Sequence, residues 1–127
     1  MNNQIANLKR NIFDKAKIFI EDMGCFAPFG AKVSQDELVD IMAYEDFEDS
    51  IDGTILIKLM KDDILKSFEK NAINIGAIAY DVVINMDDAD GLQVKRDALC
   101  LIYTNDGRSW IDEYYPYMLI DNHCIWK

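Results

Sequence analysis

The chain has 127 residues, of which half are hydrophobic and 28% are charged, and its formal net charge at pH 7 is −10. This length suits a single domain, able to bury a core without a disulfide or a structural metal. The acidic balance argues against nucleic acid or an anionic membrane surface as partner, because both require a basic face. It favours rapid capture of a basic partner.

Neither a secretory signal nor a membrane span is expected. The N-terminus is polar, and no apolar run approaches the roughly 18 residues that a transmembrane helix needs. Cys25, Cys100 and Cys124 are widely spaced and odd in number, which does not fit a disulfide framework. We therefore expect a cytoplasmic protein with reduced thiols.

The first predicted element is an amphipathic helix. Apolar residues recur at three- and four-residue steps from Ile5 to Met23, which predicts about five turns. Gly24 is placed to end the helix in a left-handed conformation. A short first strand is expected between Cys25 and Val33.

Residues 34–44 allow two interpretations. Ser34 to Glu37 matches a capping box, which would begin a helix. The alternation of apolar and polar residues from Val39 to Tyr44 instead suits a strand. We favour a strand–turn–strand hairpin with its turn near Ser34 to Glu37, because each strand then has a partner.

A second helix is predicted from about Ser50 to Lys70, after an acidic connection from Tyr44 to Ser50. Its start could slip to Thr54, because Gly53 weakens the first turn. Asn71 is placed to end the helix. The apolar residues expected on one face are Leu56, Leu59, Met60, Ile64 and Phe68.

The remaining residues, 72–127, predict an antiparallel meander. Tight turns are expected at Gly91 and at Asn105-Asp106-Gly107, because these residue types tolerate a positive φ. Pro116 is expected to end the fifth strand or to mark an edge. The expected strands are Ile73–Ile84, Leu92–Tyr103, Arg108–Tyr115 and a short sixth strand His123–Trp126.

The predicted fold class is therefore α+β. Two helices cover one face of an antiparallel sheet of five to six strands, in the order α-β-β-α-β-β-β-(β), as one domain spanning residues 1–127.

Three fragments occur in a characteristic order: Phe26-Ala-Pro-Phe-Gly-Ala31, then Ala79-Tyr-Asp-Val82 with Asp97-Ala98, and then Tyr115-Pro-Tyr117. Together they resemble a group of small uncharacterised bacterial α+β proteins. In that group the first fragment opens a hairpin after an N-terminal helix, and the others lie on a C-terminal meander. The resemblance implies no activity. Some small acidic bacterial proteins of similar build are immunity proteins that block a toxin, which is an analogy of type alone.

The residue types that carry catalysis or bind metals are present but poorly spaced. His123, the only histidine, cannot activate Cys124 directly because neighbours on a strand point to opposite faces. Cys100 lies in an apolar run and is expected to be inert. The acidic loop at Asp88 and Asp90 lacks the first ligand of an EF-hand. We expect no catalytic residue, no bound metal and no cofactor. We therefore favour a non-catalytic function over an enzymatic one.

Asp81 and Asp97 each interrupt an apolar strand run, so each needs a partner or a shifted pKa. A turn centred near residues 88 and 89 would place Asp81 opposite residue 96. Arg96 or Lys95 is then the expected ion-pair partner.

A pocket between sheet and helices is the alternative expectation. Tyr80, Trp110 and Tyr115 would line it, with Asp81 or Asp97 as its polar groups. The chain would then be a small-ligand-binding protein or an enzyme.

Protein binding is the favoured expectation. Trp110, Tyr114 and Tyr115 combine apolar area with a polar tip, as residues at binding hot spots do. Between Ser34 and Asp63 ten acidic residues stand against two lysines, which suits docking of a basic protein. We expect a non-catalytic module, with the immunity or inhibitor type as the candidate kind. A homodimer through a sheet face or edge is compatible with it. The acidic binding candidates are Glu45, Asp46, Glu48 and Asp49.

Overall fold

A computed structural model describes residues 2–36, 39–43 and 53–126, and within them the chain forms two helices and a curled antiparallel sheet. The α+β class is therefore confirmed. The helices are α1 (Asn2–Met23) and α2 (Gly53–Glu69), and the strands are β1 (Phe29–Ser34), β2 (Val39–Ala43), β3 (Ile73–Asp87), β4 (Gln93–Thr104), β5 (Ile111–Ile120) and β6 (His123–Trp126).

The strands lie side by side in the order β2-β1-β3-β4-β5, and β6 continues as a hairpin on the second half of β5. Strand β5 pairs with β4 from Ile111 to Pro116 and with β6 from Tyr117 onward. Pro116 therefore does not end the strand, which was one of the two expectations for it. It lies where β5 changes partner, a position where a missing N–H costs little.

The hairpin expected in residues 34–44 is confirmed. Strand β2 runs antiparallel to β1, with Val33 opposite Val39 and Phe29 opposite Ala43. Gln35 and Asp36 begin the turn. The capping-box pattern does not begin a helix here, because helix propensity is a weak preference and the pairing of β1 with β2 overrides it.

Both helices end at residues with a left-handed backbone, as expected. Gly24 has φ 83°, and its N–H donates to the carbonyl of Ile20 at 2.7 Å. Asn71 has φ 55° and closes a Schellman motif, in which Ala72 N–H donates to the carbonyl of Ser67 at 2.9 Å. The expected start of the second helix near Ser50 lies outside the described residues.

The two helices lie on opposite faces of the sheet, so the expectation that both cover one face is wrong. Strands β3 and β4 have apolar residues on both sides, and each side needs a cover. On one side α1 buries Leu8, Ile12, Ala16 and Ile20 against Ala77, Ala79, Leu99 and Leu101. On the other, α2 buries Leu56, Met60 and Ile64 against Ile78, Cys100 and Ile102.

None of the helices in the described residues is long and apolar enough to cross a membrane.

Candidate functional site

The β3–β4 register places Asp81 opposite Leu99, and Arg96 opposite Ile84. The expected pairing of Asp81 with Arg96 or Lys95 is therefore wrong. The turn is centred nearer residue 90, because the Asp88 carboxylate accepts the N–H groups of Asp90 and Leu92, each at 2.9 Å. Asp81 lies on the α1 side of the sheet, because the alternation along β3 puts it on the same side as Ala77 and Ala79, which pack there.

The partner of Asp81 is a buried tyrosine. The hydroxyl of Tyr117 lies 2.9 Å from each carboxylate oxygen of Asp81, and the backbone N–H of Phe26 also donates to this carboxylate. Burial raises the pKa of Asp81 despite these hydrogen bonds, and the nearby charge of Asp97 adds to the rise. Burial and the Asp81 carboxylate together raise the pKa of Tyr117.

This Asp81–Tyr117 pair joins three parts of the fold: strand β3, strand β5 and the loop that follows α1. Tyr117 is only 2% exposed, so a substrate has no access to its hydroxyl. The arrangement favours a structural clamp over acid–base chemistry.

The residues of the expected pocket lie on opposite sides of the sheet. Tyr80 and Trp110 pack on the α2 side. Tyr115 packs on the α1 side, where its ring lies 4.8 Å from that of Phe13. Asp81 shares the α1 side with Asp97 by the alternation of the strands. These five residues therefore do not line one pocket.

Tyr80 interacts with a neighbour on its own side of the sheet. A hydrogen bond with the thiol of Cys100, together with burial, raises the pKa of Tyr80. Cys100 itself is fully buried, in agreement with the expectation of an inert thiol. The pair therefore offers no accessible nucleophile.

The aromatic binding candidates have different environments. Trp110 is half-buried beside α2, where the ammonium of Lys61 lies 5.5 Å from its ring centroid. Tyr115 belongs to the core beneath α1. Tyr114 is 51% exposed and remains the aromatic candidate for contact with a partner.

A polar cluster that the sequence did not reveal joins α1 to β5. The Lys9 ammonium lies 2.8 Å from the Glu113 carboxylate, and the Tyr115 hydroxyl donates to the same oxygen. Burial would raise the pKa of Glu113, but Lys9 and Tyr115 hold it below its usual value. Lys9 and Glu113 lie at opposite ends of the chain, so no sequence spacing could have paired them.

His123 and Cys124 point in different directions, as the strand alternation predicts. Cys124 is buried, whereas His123 is exposed. The Glu21 carboxylate accepts the N–H of Cys124 at 2.8 Å and lies 3.9 Å from Nδ1 of His123. Burial raises the pKa of the Cys124 thiol, which disfavours a thiolate nucleophile.

An apolar surface forms on the side of β5 and β6 that faces away from α1. Because Tyr117 and Cys124 point towards α1, their neighbours on each strand point outward. The exposed fractions are 49% for Ile120 and 43% for Ile125. We call this surface the β5–β6 outer face and define it by Tyr114, Pro116, Met118, Ile120 and Ile125.

The acidic binding candidates Glu45, Asp46, Glu48 and Asp49 lie outside the described residues, so their role stays a prediction. Within the described ranges, no group of three or more His, Cys, Asp or Glu residues is placed to hold a metal ion.

Comparison of the chain with protein-family models, with curated proteins and with solved structures gives no match in any of the three.

Proposed function

We propose that this chain is a non-catalytic protein-binding module of the immunity or inhibitor type, which docks a basic protein in the cytoplasm. The observation that carries the proposal is the β5–β6 outer face, where an exposed tyrosine lies on the same side of the sheet as two exposed isoleucines.

Removal of this surface from water is the driving force of the proposed binding. Burial of apolar area contributes about 25 cal/mol per Å², and contiguous exposed apolar side chains mark interaction sites. Tyr114 adds a rigid side chain with a polar tip, of the kind that dominates binding energy at interfaces.

The charge of the chain supports a basic partner. The formal net charge is −10, and the exposed Asp112 shares the side of β5 that carries Tyr114. Charges at the rim of an interface steer encounter and reject partners of like charge. Glu45, Asp46, Glu48 and Asp49 are proposed to add to the negative charge that attracts this partner.

The polar clusters support binding over catalysis. The carboxylate of Asp81 is held by Tyr117 and that of Glu113 by Tyr115 and Lys9. Both carboxylates already serve contacts between elements of the fold.

An affinity capture from the lysate of the source cell, at low and high salt, tests the proposal. Bound proteins are identified by mass spectrometry for the wild type and for the Ile120→Ser/Ile125→Ser variant. Ile18→Ser is the matched control, because Ile18 is 62% exposed on α1, on the other side of the sheet. We expect the wild type and the control to retain a basic protein that high salt releases, and the double variant to lose it.

Two results would contradict the proposal. One is that no basic protein is retained, and the other is that the control loses the partner as fully as the double variant. Light scattering of the purified protein tests whether a second copy of the chain, rather than a basic protein, covers the β5–β6 outer face. A dimer that the double variant abolishes would assign this face to a second copy of the chain.

A further inference from the structure

A cavity of about 410 Å³ lies at the end of the sheet where β3 begins, between the first turn of α1 and the last turn of α2. Its walls include the apolar side chains of Ile5, Phe68 and Ile75. Three carboxamides complete the lining: Gln4, Asn74 and Asn105. None of the described residues that line it is charged, although 28% of the chain is.

A β-bulge places one of these carboxamides. Val33 pairs with Ile75 and Ser34 pairs with Ile73, so Asn74 is an extra residue on β3. Bulges redirect side chains and occur often beside functional sites. The Asn74 amide lies 3.4 Å from the carbonyl of Ser34 and 3.5 Å from Oε1 of Gln4. Both distances are long for a hydrogen bond, so a ligand with a better acceptor can compete for this amide.

The side chains that line the cavity determine which class of ligand fits it. A carboxamide carries an acceptor beside two donors, and this pattern complements the amide-like edge of a nucleobase. Asn105 places such a group in the lining. The apolar wall offers a surface for the flat ring. Because the lining contributes no cationic side chain, it offers no ion pair to a phosphate or carboxylate.

We propose that this cavity binds a small uncharged heteroaromatic compound with an amide-like edge, of the nucleobase class. The site lies apart from the β5–β6 outer face and does not depend on the proposed protein partner. Its volume falls within the range of about 300–1,000 Å³ typical of small-ligand sites.

An NMR titration of the ¹⁵N-labelled chain with adenine and uracil tests the proposal, with uridine monophosphate as the charged comparison. We expect saturable shifts of the side-chain NH₂ signals of Asn74 and Asn105 with a base. The Asn105→Ala variant should weaken binding about tenfold, because it leaves one edge of the base without its partner. Asn105 is exposed next to a turn, so this variant is expected to fold.

The control variant is Asn85→Ala, because Asn85 is exposed on β3 outside the cavity. It should bind the base like the wild type. The proposal would be overturned by an absence of shifts at millimolar base, or by equal weakening in the Asn85 and Asn105 variants. Benzene binding as tightly as the bases, or uridine monophosphate binding more tightly than uracil, would also overturn it.

Discussion

The hydroxyl of Tyr117 on β5 donates to both carboxylate oxygens of Asp81 on β3, at 2.9 Å each, across the intervening strand β4. This contact satisfies an acidic group that interrupts the apolar side of β3. It also explains why Asp81 needs no basic partner.

Tyr117→Phe should destabilise the fold by about 1–3 kcal/mol, since it leaves a partly buried carboxylate without its donor. Urea unfolding monitored by circular dichroism measures the loss. Tyr114→Phe is the control, because Tyr114 is exposed and its hydroxyl bonds the thiol of Cys100 rather than a carboxylate, and it should shift the unfolding midpoint much less. A Tyr117→Phe variant as stable as the wild type would show that the contact contributes nothing.

Lowering the pH should raise the stability of the wild type relative to that of the Asp81→Asn variant. The pKa of Asp81 is higher in the folded chain than its ordinary value of 3.8, so the folded state binds the proton more tightly than the unfolded state. The destabilisation caused by the Asp81 charge is full at neutral pH and is relieved as the pH falls through the raised pKa.

Unfolding free energies of both chains between pH 7 and pH 3 check this sign. The unfolding free energy of the wild type, relative to that of Asp81→Asn, should rise on acidification. The rise should level off below the pKa that Asp81 has in the unfolded chain. Parallel curves, or a shift in the opposite direction, would contradict the raised pKa.

Glu113→Gln should lower stability at pH 7 by about 0.5–1 kcal/mol, a modest value because Lys9 and Glu113 are partly exposed and solvent screens them. The pKa of Glu113 is lower in the folded chain. The Glu113 carboxylate therefore stabilises the fold fully when the pH is above its pKa in the unfolded chain. This contribution is lost as the pH falls through its lower pKa in the folded chain. The effect of the substitution should diminish as the pH falls below the ordinary pKa of the glutamate side chain, 4.5.

A double-mutant cycle with Lys9→Met measures the pair itself. Lys58→Met, at an exposed position on α2, is the control and should show no coupling to Glu113. Additive effects of Lys9→Met and Glu113→Gln would mean that the ion pair does not contribute.

Gly76→Ala should destabilise the protein by about 1–3 kcal/mol through overpacking. A Cβ at this position would lie 2.4 Å from Cγ2 of Ile64, where α2 approaches β3. The loss is measured by thermal unfolding. In the Ile64→Ala background, where this methyl group is absent, Gly76→Ala should cost much less, and an equal cost in both backgrounds would exclude the clash.

Neutralisation of Glu45, Asp46, Glu48 and Asp49 as amides should slow association with a basic partner and reduce its salt dependence. Stopped-flow mixing at two salt concentrations gives the association rate. The Ile120→Ser/Ile125→Ser variant separates the two contributions, because it should mainly speed dissociation. Unchanged association of the neutralised chain would remove the electrostatic part of the proposal.

Local chemistry made several elements predictable from sequence. The periodicity of α1 and α2 identifies both helices, and Gly24 and Asn71 end them because the left-handed backbone is accessible to glycine and asparagine. The turn at Asn105-Asp106-Gly107 was readable for the same reason, with Gly107 at φ 76°. Each of these features depends on interactions within a few residues.

Other features were decided by tertiary structure alone. The apolar runs of β3 and β4 do not say which helix covers which side, because a buried strand is apolar on both. The partner of Asp81 depended on the β3–β4 register and on a tyrosine that reaches across β4. The carboxamide cavity depended on a bulge at Asn74. Pairing between distant strands fixes these contacts, and a shift of one residue in register moves every side chain to the other face.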